Sequence, residues 1–192
     1  MPSTKPQMSK EMLLPPLASH VLQHGLGGAS LRPLAKAAGT SDRMLIYHFG
    51  NKEALVRELL SYVAGVYANA LEMALAAQHG EGRPQSRQQC FARILAQGRQ
   101  PGMQSFMVLW WEIVAGSARG LPGYAEAAEA MITDQLAWLE GQMPEDDPDP
   151  AGGARYLLTL LEGTLMLGVV GHARTAREGL LASDLAGDPS DD

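Results

Sequence analysis

The chain is short of cysteine, of charge and of unbroken apolar runs, and each shortage closes off a class of protein. Its single cysteine, Cys90, leaves no internal disulfide to form. Nothing at the N-terminus joins basic residues to an apolar run and a small-residue cleavage site, so a cytoplasmic protein is expected. The longest apolar stretch, Tyr156 to Gly171, is interrupted by Glu162 and several glycines. It falls short of the ~20 residues that a bilayer span requires, which predicts a buried helix and no membrane partner. Catalytic signals are also missing: there is no nucleophile paired with a base, no set of metal ligands and no phosphate loop. The expectation is therefore a non-enzyme without cofactor. His20 and His24 stand at i, i+4, a metal-site spacing, but no carboxylate or cysteine completes the set. Cys90, alone in a helical segment, reads as a small core residue.

What is present describes a globular protein. Hydrophobic residues make up 46% of 192 and charged residues 19%, enough apolar surface for one ordinary domain with a small module appended. The net charge of -6 argues against nucleic acid until it is divided by region. Residues 1 to 60 hold seven basic groups against four acids, 7 - 4 = +3; the remainder holds 8 - 17 = -9. All the lysines precede residue 53. A positive head facing DNA on an acidic body is the reading.

Every strong segment has helical period. Leu14, Leu17 and Val21 mark a first helix from about Met12 to His24, expected to begin near Pro15 and Pro16 and stopped by Gly25. Ser30 is placed to cap a short second helix that Gly39 ends. Thr40 or Ser41 caps a third running through Phe49, closed by Gly50. A long helix follows from Lys52 to about Gln78. Further segments run over Ser86 to Gln97, Met103 to Ala118, Tyr124 to Met143, Ala151 to His172 and Thr175 to Ala186. The expected organisation is a flexible arm over 1–9, a helix-turn-helix over 10–52, a helical body over 53–186 and a disordered tail over 187–192. Two short helices joined at Gly39-Thr40-Ser41, behind a third, form a tri-helical helix-turn-helix.

The run Ser30-Leu-Arg-Pro-Leu-Ala-Lys-Ala-Ala-Gly-Thr-Ser-Asp-Arg-Met-Leu-Ile-Tyr-His-Phe-Gly-Asn-Lys-Glu-Ala-Leu resembles the N-terminal signature of TetR-type bacterial regulators. The match is dense over 25–55, and beyond it only the all-helical architecture agrees. The resemblance implies an all-α fold: a DNA-binding head on a helical-bundle body that binds a ligand and dimerises. It places Ser41, Arg43, Met44, Tyr47 and His48 on the recognition helix. Arg43 is the expected base reader, able to give two parallel hydrogen bonds to guanine, and Met44 offers apolar contact to a thymine methyl. Tyr47, His48, Lys52 and the helix start at Ser30 are expected on phosphates. Ile46 stands where the family commonly has an aromatic.

For the body, the resemblance implies a small-molecule effector between central helices. Tyr67, Met103, Met107, Trp110, Trp111, Glu112 and Tyr124 are its expected lining. Glu112 would need a partner if buried, for which a cationic or hydroxylated ligand is one candidate. The segment Ala151 to His172 is apolar nearly all round, which implies a second copy against it. Leu157, Leu160, Leu161, Leu165 and Gly168 are the expected dimer face, and a homodimer implies a palindromic operator. A repressor released by an apolar effector is the leading expectation. An all-helical enzyme, or an interaction module without DNA regulation, is the alternative.

Overall fold

The computed structural model describes residues 9–77 and 84–182, and both the expected arm and the expected tail lie largely or wholly outside them. Among the described residues there are nine α-helices and no strand. They are α1 (Lys10–His24), α2 (Leu31–Ala37), α3 (Asp42–Phe49), α4 (Lys52–Ala77), α5 (Arg87–Gly98), α6 (Pro101–Ala118), α7 (Tyr124–Gln142), α8 (Pro150–Val169) and α9 (Ala173–Ala182). A single 3₁₀ turn, Leu26–Gly28, lies between α1 and α2. None of these helices is long and apolar enough to cross a membrane.

The start of α1 differs from expectation. The helix begins at Lys10 and runs through Pro15 and Pro16, its sixth and seventh residues. Those prolines remove amide donors to the carbonyls of Glu11 and Met12, both on exposed residues where water can take the acceptors. The cost of the prolines is thereby confined to the solvent side. Leu13, Leu17 and Val21, at i, i+4 and i+8, are fully buried on the other side.

The chain divides into two compact units, and the divisions fall inside helices. Unit one joins residues up to Tyr67 with Ser105–Met131. Its buried side chains include Leu34 of α2, Leu45 and Phe49 of α3, Leu55, Leu59 and Leu60 of α4, and Leu109 and Ile113 of α6. Lys10 bridges α1 to α4 by donating to both carboxylate oxygens of Glu58, at 2.7 and 2.9 Å, and its ammonium lies 5.2 Å from the centre of the Phe49 ring.

Unit two holds Ala68–Gln104 and Ile132 onward. Its core interleaves Cys90, Phe91, Ile94 and Leu95 of α5 with Leu139 and Met143 of α7 and with Ala154, Leu157, Leu158 and Leu161 of α8. Arg87 clamps the loop before α8. Its Nε and Nη2 donate to Asp147 at 2.7 and 2.6 Å, and Nη2 also reaches the Asp149 carbonyl at 2.9 Å. Asp149 in turn caps α8 by accepting from the Gly152 amide at 2.9 Å. The guanidinium holds the Asp147 carboxyl below its ordinary range, and the carboxylate raises the arginine correspondingly. Cys90 is 1% exposed, and burial pushes its thiol up to about 11, so it is inert packing in the folded state.

Candidate nucleic-acid interface

The turn between α2 and α3 is built from local chemistry. The Gly39 φ of 63° lies in the left-handed region, and the Thr40 amide turns back to the Ala35 carbonyl at 2.9 Å. Ser41 then starts α3, its Oγ accepting from the Met44 amide at 3.3 Å. Ser30 occupies the equivalent position before α2 but makes no side-chain cap; the residue three positions on, where Ser41 finds the Met44 amide, is Pro33, which has no N–H to donate. At the other end of α3, the Gly50 amide returns to Ile46 and Asn51 Oδ1 accepts from Ala54 at 2.7 Å to start α4.

These caps fix which way α3 faces. Leu45 and Phe49 point into unit one at 0% and 4% exposure. Ser41, Arg43, Met44 and Tyr47 stand in solvent, Tyr47 at 72%. Arg43 and Tyr47, four residues apart, share a side, and Met44 lies next to them. Arg32, Lys36, Lys52 and Arg57 are exposed on the same unit, whereas Lys10 is engaged with Glu58. The His48 ring packs edge-on to Tyr47, with Nε2 enclosed and without a hydrogen-bond partner among the described residues. His20 and His24, the other expected curiosity, stack on one another at 4.4 Å, and His24 Nδ1 meets the His20 carbonyl at 3.0 Å.

One member of the expected ligand lining borders a hollow. An open hollow of about 390 Å³ lies in unit one, lined by Pro15, Ala18, Ser19, Leu22 and Gln23 of α1, Tyr62, Val63, Val66 and Tyr67 of α4, and Ser105 of α6. Of the expected lining only Tyr67 is there, its ring stacked on Phe106 at 4.5 Å. Met107 and Trp110 are buried packing at 8% and 6% exposure, Trp111 is half-buried, and Met103 belongs to unit two. The partner that Glu112 requires is internal, since its carboxylate accepts the Leu26 amide at the head of the 3₁₀ turn. Gly25, at φ 72°, leaves room for that carboxylate, which a Cβ there would strike. Tyr124 packs over Gly116, its hydroxyl pKa raised by burial and then by the Glu112 charge. The hollow on α1 has no sequence signal, because its walls come from residues that share no motif.

The residues of the expected dimer face divide between core and solvent. Leu157 and Leu161 lie inside the core of unit two at 1% and 2% exposure, and Leu160 and Leu165 pack against that core. Only Gly168 of the five is exposed. The apolar groups that α8 leaves in solvent are instead Tyr156, Met166 and Val169, followed by Val170, with Leu181 of α9 also exposed. A helix apolar all round gives its bulkiest branched side chains to its own core first.

With this geometry in view, the comparisons fall into place. Residues 20–59 match the family model of bacterial regulatory proteins of the tetR family. No curated protein sequence matches the chain. Solved structures share the fold. One, from Rhodococcus sp. and assigned to the TetR-family transcriptional regulators, aligns at 20% identity and TM-score 0.66, covering 90% of this chain and 94% of its own. The multidrug binding protein EbrR, solved with imidazole, aligns at 21% and 0.61 over 94% and 91%. GusR of Salmonella enterica aligns at 23% and 0.54 over 95% and 94%. The head carries the tetR signature, and the chain has the all-helical fold of TetR-family transcriptional regulators.

Proposed function

We propose that this chain of tetR-type head and TetR-regulator fold is a cytoplasmic, sequence-specific DNA-binding regulator, acting as a homodimeric repressor released from a palindromic operator by a small, largely apolar effector. The observation that carries the reading is the solvent side of α3, where Ser41 sets the helix start and Arg43, Met44 and Tyr47 stand clear of the core. Arg43 reads a guanine edge, Met44 meets a thymine methyl, and Tyr47 with the positive N-terminus of α4 at Lys52 holds phosphates. The exposed Arg32, Lys36 and Arg57 supply the surrounding positive potential, so binding weakens as salt rises.

The expected organisation into head (10–52) and body (53–186) belongs to this reading, with Tyr156, Met166, Val169 and Leu181 as the apolar groups a second copy would cover. A C2 pair sets two recognition helices on successive turns of DNA. The effector class is favoured by the fold's likeness to a multidrug binding protein.

The test is a mobility-shift titration of the full chain against its own upstream DNA, with Arg43→Ala as control. A specific shift lost in the variant is expected. Equal, weak binding of both proteins to every DNA would overturn the reading.

A further inference from the structure

The hollow between α1 and α4 has the size and the mixed walls of a ligand site, and it belongs to the unit that holds the recognition helix. Its volume of about 390 Å³ falls within the usual range for small-molecule sites, roughly 300 to 1,000 Å³. Leu22, Val63 and Val66 supply apolar wall, Tyr62 and Tyr67 aromatic wall, and Ser19, Gln23 and Ser105 polar groups. No charged side chain lines it, so a charged guest would lose its hydration without a counter-charge. Among the described residues the Gln23 amide is bound only by a long 3.4 Å contact to Ser19 Oγ, which a ligand can replace. Val66 is 47% exposed, an apolar group that a guest would cover. The Tyr67 hydroxyl, its pKa raised by burial, is protonated at neutral pH and able to donate.

We propose that this hollow binds an uncharged, planar aromatic molecule carrying one hydroxyl or carbonyl group, and that occupancy acts on the head through α6. Ser105, Leu109 and Glu112 stand at i, i+4 and i+7, on one face of that helix. Ser105 meets the hollow; Glu112, about 10 Å along the axis, holds the Leu26 amide in the loop between α1 and α2. A guest that displaces the Ser105 face displaces the carboxylate that fixes that loop. Glu112 is thus a positioning residue for the helix-turn-helix, and this part of the proposal rests on the regulator reading above.

The probe is 2-naphthol, titrated into the full chain and followed by amide chemical shifts, against Ser19→Trp and Val66→Trp, two exposed positions whose indoles fill the hollow. Saturable binding is expected in the native chain, with shifts on α1 and α4. Each variant should weaken it by about tenfold or more while melting as the native chain does. Binding untouched by both variants, or no saturable binding up to about 1 mM, overturns the site. Operator affinity is then measured with and without 2-naphthol. It should fall in the native chain and respond less in Glu112→Gln, which keeps the hollow intact. Bound probe that leaves operator affinity unchanged overturns the coupling. A chain that binds no operator at all counts against the regulator reading instead, and the binding arm still decides the site.

Discussion

Helices α3 and α8 both carry residues expected to meet a partner, yet only α3 presents most of them. The difference lies in how each helix learns its orientation. Helix α3 has 8 residues, a Ser41 cap at one end, Gly50 at the other and two buried side chains, Leu45 and Phe49. Leu45 and Phe49, at i and i+4, share one face, and burying that face between two close caps turns Arg43, Met44 and Tyr47 outward. Helix α8 has 20 residues and apolar groups on every side. Many rotations would bury a comparable area, and contacts with α5 and α9 select one. Local chemistry orients a short amphipathic helix, whereas neighbours orient a long apolar one.

The contrast breaks most visibly at Leu161. Leu161→Ala removes a 2%-exposed side chain from the core of unit two and should cost about 2 to 5 kcal/mol in chemical denaturation. Val169→Ser, two turns along the same helix and 64% exposed, should leave monomer stability within about 0.5 kcal/mol while weakening self-association in sedimentation. Equal costs for the two would place α8 in a different rotation. Next in size, Arg43→Ala should lose roughly 1 to 3 kcal/mol of operator discrimination, read as mobility-shift affinities for cognate and scrambled DNA, with thermal stability unchanged. Ser41→Ala tests whether the cap orients α3. It should cost about 1 kcal/mol of stability, and Ser30→Ala should cost less, because Ser30 makes no cap hydrogen bond.

An effect on the order of 1 kcal/mol is expected at Asp147, since its partner Arg87 is 35% exposed. Asp147 binds a proton less readily in the folded chain than in the unfolded one. Its contribution is complete above the ordinary carboxylate range and is lost as pH falls through that range toward the lowered native value. Asp147→Asn should therefore lower stability at neutral pH and flatten the decline between about pH 5 and pH 3, in melts taken across that window. A parallel decline in both proteins would assign the acid sensitivity elsewhere.

Much of the head was legible because its signals are local. Gly25, Gly39 and Gly50 each adopt positive φ where a helix was expected to stop. Pairing across distance was not legible: nothing near Lys10 announces Glu58, and nothing near Arg87 announces the acidic loop that holds Asp147. In the sequence Glu112 is a charge within an apolar helix, in need of a partner if buried. That the partner is the Leu26 amide, 86 residues away in sequence, no spacing could say.

By itself the sequence determined an all-helical chain, a tri-helical head with its turn at Gly39, the residues offered on α3 and the positive charge around them. Each of these follows from caps, breakers and a 3.6-residue period, which act within a turn or two of chain. The tertiary structure alone decided which side of α8 is core, that Met107 and Trp110 are packing, that α1 and α4 enclose a hollow, and that α6 is tied to the head by Glu112. Those outcomes depend on the shape left when helices distant in sequence compete for the same buried volume, and no local preference encodes that shape.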